Sequence, residues 1–112
     1  MQADLLKGHL EGLVLAVLAE RPIHGYAIME SLKARSHGAI GIEGGTLYPL
    51  LHRLEEAGLV RSSWSTQGGR RRRTYSLTAR GGRALAEKQG AWREFVSALG
   101  SIMAEPSTGP AK

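Results

Sequence analysis

The chain has 112 residues, enough for one domain or one domain with an appendage, and its 42% apolar and 22% charged residues are ordinary for a globular chain with a modest core. It carries 15 Lys and Arg against 10 Asp and Glu, a formal net charge of +5, and that balance favours polyanionic partners. No cysteine is present, which excludes disulfides, thiol nucleophiles and thiolate metal sites. The longest apolar run, residues 13–19, is too short to span a bilayer, and the N-terminus lacks the architecture of a signal peptide. A cytoplasmic protein with no membrane partner is expected.

Residues 1–8 contain a short amphipathic piece (Leu5, Leu6, Lys7) able to dock on a neighbour or fray. A first helix is expected over residues 9–20, where Leu10, Leu13, Val14, Val17 and Leu18 fall at the spacings of one buried face, and Pro22 stops it. A second opens near His24 and Gly25 and runs to about Arg35, with Tyr26, Ile28, Met29 and Leu32 as its apolar side and His24 capping or packing its start. A loop with four glycines (Gly38, Gly41, Gly44, Gly45) leads to a third helix. There Leu47, Leu50, Leu51 and Leu54 make one apolar face. Its start falls within residues 44–46 with Thr46 able to cap it, and Pro49 is assigned to the tolerant first turn. It ends at Ala57, with Gly58 as a left-handed stop.

After Gly58 the period changes from 3.6 to 2. Residues 59–64 read as a strand, 65–69 as a turn and 71–77 as the returning strand, with Gln67, Gly68 and Gly69 at the tip. Arg71, Arg73, Tyr75 and Leu77 share one strand face; Tyr75 and Leu77 are expected against the helices, and the arginines nearer the tip in solvent. Three helices followed by a basic hairpin is the order of a winged helix-turn-helix. Thr78 would cap a last helix from Ala79 to about residue 104. Gly81 stands where a capping box would place Glu, and Gly81, Gly82 and Gly90 each weaken the helix by up to about 1 kcal/mol relative to Ala. Leu85, Trp92, Phe95, Val96, Leu99, Ile102 and Met103 form an apolar stripe, part of it spaced as in a coiled-coil seam. A single three-helix domain has no evident place to bury that stripe, which favours a second subunit. Residues 105–112, with two prolines and little apolar content, are expected to be disordered.

Chemistry concentrates in two places. From Arg61 to Arg83 there are seven arginines and no acid. Arg70, Arg71, Arg72 and Arg73 follow the glycine tip, so they project along a ribbon that can reach phosphates on either side of a groove or enter a narrow minor groove. The plainer alternative is a solvated charge run. At the start of the third helix, Gly44 and Gly45 expose backbone N–H groups at a positive helix end. Thr46, Tyr48, His52 and Arg53 lie off the leucine face; Thr46 and Tyr48 can bond phosphates or base edges, and Arg53 can reach guanine or backbone. Alternatively Tyr48 packs in a cleft between helices and Arg53 pairs with a nearby Glu. His9, His24, His37 and His52 show no ligand spacing, so no metal or other cofactor is expected. Neither a Gly-x-Ser-x-Gly elbow nor a Walker-type loop is present, so the chain lacks the parts of an enzyme. Trp92 is either a seam anchor or the wall of a flat apolar ligand pocket, and the two roles are compatible at a dimer interface.

With these residues in view, the chain resembles the PadR family of bacterial transcriptional regulators, in its short form with one C-terminal helix, over roughly residues 5–103. The resemblance rests on Leu6-Lys7-Gly8, His24-Gly25-Tyr26, Gly45-Thr46-Leu47-Tyr48-Pro49-Leu50-Leu51, the run from Leu54 through Gly58 to Val60, Gly69-Arg70, and Tyr75-Ser76-Leu77-Thr78 leading to Gly81. It implies a mainly α (α+β) fold: residues 1–78 a winged helix-turn-helix that binds DNA, residues 79–104 a dimerisation helix, residues 105–112 a tail. It further implies a homodimer on an inverted-repeat operator in double-stranded DNA, usually as a repressor, with the third helix in the major groove. The DNA-binding positions would be Tyr26, Gly45, Thr46, Tyr48, Pro49, His52, Arg53, Gly69, Arg70, Arg71, Arg72 and Arg73. The dimer interface, with a pocket for a small aromatic or drug-like effector, would be Leu85, Trp92, Phe95, Val96, Leu99, Ile102 and Met103. One departure is the wing, which has four arginines where relatives often have a proline and mixed residues. The rival readings are a winged-helix protein-interaction adaptor meeting an acidic partner, and a small-molecule sensor without strong DNA binding. The arginine run and the exposed helix tip count against the adaptor.

Overall fold

Four leucines at helical spacing fix where the third long helix goes. In the computed structural model, which describes residues 3–104, Leu47, Leu50, Leu51 and Leu54 are all buried on one side of that helix. They meet Val14, Leu15, Val17 and Leu18 from the first long helix and Ile28 and Leu32 from the second, in one core cluster. Each fully buried leucine contributes roughly 1.5–3 kcal/mol, so this layer holds the helices as one unit. The element order is α1 (Ala3–Lys7), α2 (Leu10–Glu20), β1 (Ile23–His24), α3 (Gly25–Arg35), α4 (Gly44–Glu56), β2 (Val60–Gln67), β3 (Arg70–Leu77) and α5 (Ala79–Met103). The mainly helical winged architecture expected from the sequence is present, with two additions: the short α1 and the two-residue β1. The expectation of a disordered tail at residues 105–112 falls outside the described residues.

The sheet is antiparallel in the order β1-β3-β2. Sequence periodicity reveals only β2 and β3, because two residues are too few to show a period. β1 forms where the chain leaving α2 passes the wing, pairing Ile23 with Tyr75 and His24 with Thr74. The hairpin is longer and its turn tighter than expected. Gln67 pairs with Arg70, leaving Gly68 and Gly69 as a two-residue turn with φ of 57° and 76°. Two consecutive left-handed residues match the twist of the flanking strands, which is why the glycines sit there. On β3, Tyr75 is buried and Leu77 packs against the core, as expected.

Two details at the start of α4 differ from expectation. The helix begins at Gly44 with Glu43 as N-cap and without a capping side chain; Thr46 is inside the first turn, its N–H donating to the Glu43 carbonyl at 3.0 Å. Its hydroxyl is therefore not needed as a cap. Pro49 consequently lies in the second turn and withholds the donor that would have reached the Gly45 carbonyl. The other end closes as expected. Gly58 is left-handed (φ 77°), Leu59 N–H donates to the Leu54 carbonyl and Gly58 N–H to that of Glu55, the paired bonds of a Schellman stop.

Thr78 caps α5 by accepting from the Gly81 N–H at 3.0 Å, and its hydroxyl donates to the Gly58 carbonyl at 2.7 Å. Gly81 itself is buried against the Leu59 carbonyl, where an added Cβ would lie only 2.0 Å from the oxygen. This explains the missing capping-box Glu: no side chain fits. Replacing Gly81 by Ala should destabilise the protein by about 3 kcal/mol or more, because the obstructing atom is backbone. Gly82→Ala, whose Cβ would only touch Leu77 at 4.0 Å, should stabilise it by about 0.5–1 kcal/mol through helix propensity. Urea unfolding of both variants at one fixed protein concentration checks the pair.

Candidate nucleic-acid interface

The first turn of α4 offers donors without partners. Gly44 and Gly45 lie ahead of the first intrahelical bonds, Glu43 makes no side-chain cap bond, and no acid occupies the first turn. An anion is favoured at such an end by the exposed N–H groups and the helix dipole. Gly45, Thr46, Pro49, His52 and Arg53 are all exposed on α4. Thr46, Pro49 and Arg53 recur at i, i+3 and i+7 and so share a face opposite the leucines. His52 lies 3.6 Å from Glu56 one turn on. The pairing of Arg53 with a Glu is not formed among the described residues.

Tyr48 takes the position described by the packing alternative. Its ring lies over Gly25 so closely that a Cβ there would come within 2.6 Å of the ring, and a Cβ on Gly44 would come within 3.1 Å. The residue is nevertheless 46% exposed, so it is both held and presented. Tyr26, expected on the apolar side of α3, is instead 59% exposed. Gly25, in contrast, is buried under the Tyr48 ring at the start of α3. Together Tyr26, Tyr48 and Trp64 line an open groove of about 810 Å³ with Arg70, Arg71, Arg72 and Arg73 on its wing side. The structure thus gathers Tyr26, Tyr48 and the four arginines around one groove. Thr46, His52 and Arg53 are left on the outer face of α4, and Gly69 at the tip of the wing.

Strand alternation divides the four arginines between two faces. Arg71 and Arg73 lie on the face of Tyr75 and Trp64: the Arg71 guanidinium is 4.9 Å from the Trp64 ring centre and that of Arg73 is 5.8 Å. Arg73 is further engaged, donating from Nε to Ser62 Oγ at 2.8 Å and from a terminal nitrogen to Glu55 Oε1 at 3.3 Å. Arg72, on the opposite face, approaches Nε2 of His24 at 2.8 Å. His24 caps α3, its Nδ1 accepting from the Ala27 N–H at 3.3 Å. A neutral imidazole has one acceptor nitrogen, so His24 cannot serve both donors at once, and Arg72 is held less firmly than Arg73. Among the described residues Arg70 makes no side-chain hydrogen bond or ion pair. Sequence reading did not single out Trp64, Ser62, Glu55 or the second role of His24. The pairing of Trp64 with Arg73 follows from the Gly68-Gly69 turn, which is tighter than the turn expected over residues 65–69; nothing local links Glu55 to the wing.

The second set of expected residues lies on α5. Leu85 is not exposed with the rest of the expected stripe: it is 8% exposed and part of the core cluster, where α5 packs on α2 and β3. Trp92, Phe95, Val96, Leu99, Ile102 and Met103 are exposed, Ile102 most of all at 83%. Trp92 packs edge-on against His9 at 5.0 Å between ring centres and tilts toward Phe95 at 6.2 Å. Lys88 pairs with Glu11 at 3.6 Å and fastens α5 to α2 just before the stripe begins.

Comparison with known proteins gives a consistent result. The model of the Transcriptional regulator PadR-like family matches residues 14–87. The transcriptional regulator Rv3488 of Mycobacterium tuberculosis is 37% identical over 82 residues, 73% of this chain and 74% of that protein. The crystal structure of a PadR family transcriptional regulator from Eggerthella lenta is 39% identical, covers 92% of this chain and 88% of its own, and superposes with a TM-score of 0.78. A PadR-like transcriptional regulator from Bacillus cereus is 26% identical over 93% of this chain and all of its own, with a TM-score of 0.83.

Burial pushes the Tyr75 phenol above its ordinary pKa; the Arg73 cation opposes this, while Glu55 and Tyr48 add to it. The folded chain therefore keeps its phenol proton to a higher pH than the unfolded chain. Stability is unaffected below the ordinary phenol range near pH 10 and falls as pH rises from there through the folded pKa, because the unfolded state ionises first. Tyr75→Phe should flatten that alkaline loss, as read from urea midpoints between pH 8 and pH 11.

Proposed function

The chain belongs to the PadR-like family of transcriptional regulators, and from that premise we propose that it is a repressor that binds an inverted-repeat operator as a homodimer and releases it when a small aromatic or drug-like molecule occupies the dimer seam. It is a DNA-binding transcriptional regulator and not an enzyme. The observation that carries the reading is the groove in which Tyr26, Tyr48 and four arginines converge beside the uncapped start of α4. Cations along a ribbon can neutralise phosphates, and a helix start without acids can approach them directly.

Residues 1–78 act as the reading unit and residues 79–104 as the dimerisation arm. Thr46, Tyr48, His52 and Arg53 face the major groove, with Gly45 and Pro49 shaping the helix tip. Tyr26 and Gly69 border the duplex, and Arg70, Arg71 and Arg72 reach phosphates. The exposed stripe from Trp92 to Met103 supports a partner helix there: six large apolar side chains in one patch are uncommon on a lone subunit. The His9, Trp92 and Phe95 rings give that seam an aromatic wall, which favours a flat effector. No described helix is long and apolar enough to cross a membrane, and we place the protein in the cytoplasm.

The reading is tested by selecting from a pool of duplexes with random centres across a salt titration. A palindrome with half-sites about one helical turn apart is the expected product. Steeply salt-dependent retention without an enriched sequence would reject operator binding and favour the adaptor or sensor readings. On the selected site, Arg70→Ala should weaken operator and random duplex equally and reduce the slope of log K against log salt by about 0.9, one phosphate contact. Loss confined to the operator would mean that Arg70 reads bases.

A further inference from the structure

The wing is tied to α4 by a closed ring of three hydrogen bonds. Ser62 Oγ donates to Glu55 Oε2 at 2.7 Å, Arg73 Nε donates to Ser62 Oγ at 2.8 Å, and an Arg73 terminal nitrogen donates to Glu55 Oε1 at 3.3 Å. One residue from α4 and one from each hairpin strand therefore share a single network. The Arg73 guanidinium also lies over the Trp64 ring, 5.8 Å from its centre, and that of Arg71 lies over the same ring at 4.9 Å. A series of contacts thus runs from the carboxylate to Arg73, to the Trp64 ring, and to Arg71 nearer the tip.

A carboxylate on the helix that enters a polyanion's groove is unfavourable unless it has another task. Glu55 is only 31% exposed at its side chain and both its oxygens accept bonds from the wing. We propose that Glu55 is a positioning residue for DNA binding: acting through Arg73 and Trp64, it fixes the pitch of the wing on α4 so that Arg71 meets phosphate while α4 lies in the major groove. Arg73 is then a brace, held by protein, and not a phosphate contact. Charge-assisted bonds in a ring cooperate and are stronger than exposed single ion pairs, which suits a part that must keep its angle. This inference rests on the DNA-binding reading.

The sign of one substitution separates it from simple electrostatics. Glu55→Gln removes a negative charge beside DNA, so field effects alone predict tighter binding and, with Arg73 released to phosphate, a salt slope steeper by about 0.9. The positioning role predicts the reverse: binding to the selected duplex about tenfold weaker, the size of one charge-assisted hydrogen bond, with no steeper slope. Ser62→Ala leaves the charge unchanged and should also weaken binding, and the double variant should lose less than the sum. Unfolding midpoints of the variants show whether they are folded, and nitrogen-15 NMR follows the Arg73 Nε–H and the Trp64 indole. Both signals should shift in Glu55→Gln and in Ser62→Ala, with Arg73 Nε–H exchange accelerated. Tighter binding by Glu55→Gln, or unshifted Arg73 and Trp64 signals, would overturn the inference while wild-type binding keeps the DNA reading intact. Wild-type protein that fails to bind any duplex would end the DNA reading, and with it the positioning role, leaving the NMR shifts as evidence of a fold brace alone.

Discussion

Everything in this molecule hangs from the contact of α5 with the turn after α4. The Leu59 carbonyl has Gly81 pressed against it and accepts from Thr78 N–H at 3.1 Å, while the Thr78 hydroxyl reaches the Gly58 carbonyl and caps α5 in return. In a space of four residues the end of α4, the start of β2, the end of β3 and the start of α5 are joined. Any side chain at Gly81 would push α5 away. Because α5 has 25 residues, about 37 Å of helix, a small error at its root becomes a large displacement at Ile102. The direction of the arm is set here, and with it, in the proposed dimer, the distance between two reading heads.

The wing illustrates how identical residues acquire different work. Four arginines in a row read as one charge block, yet β-strand alternation sends them to two faces and neighbouring elements then select among them. Arg73 is taken up by Glu55 and Ser62, Arg72 leans on the α3 cap at His24, and Arg71 rests on Trp64. Arg70 extends beyond these. Commitment to the protein thus decreases toward the tip, as it must if the base of the wing is to be fixed and its end is to meet a partner. Exposed ion pairs contribute little stability singly; here their value is geometric, since they set an angle between elements.

The groove is lined from α3, α4 and the wing, and the apolar stripe lies on α5, in a molecule whose longest extent is 64 Å. What connects them is packed structure: Tyr48 on Gly25, α4 on α3, α3 on α2, and α2 fastened to α5 by Lys88 and Glu11 and by the His9 ring on Trp92. A molecule inserted beside Trp92 would meet His9, which directly precedes α2, and α2 packs on α3, against which α4 lies. For the proposed effector response this is a contiguous series of packed elements between the two regions.

The order of elements, the leucine face, the Gly58 stop, the Thr78 cap and the basic hairpin were all legible in the sequence, because each depends on residues within one or two turns of one another. The PadR resemblance followed from such local groups. What sequence could not disclose are the meetings of distant residues. β1 exists only because β3 passes it, Leu85 is part of the core because α5 packs on α2 and β3, and Gly25 matters because Tyr48 arrives 23 residues later. Thr46 lost its capping role because the N-cap is Glu43, three residues earlier. The Glu55–Ser62–Arg73 ring spans three elements whose mutual angles no periodicity encodes. Local propensity and hydrophobic period determined the parts and their order. The close approaches of backbone and side chain between those parts decided which arginine is free, which tyrosine is presented, and where the last helix points.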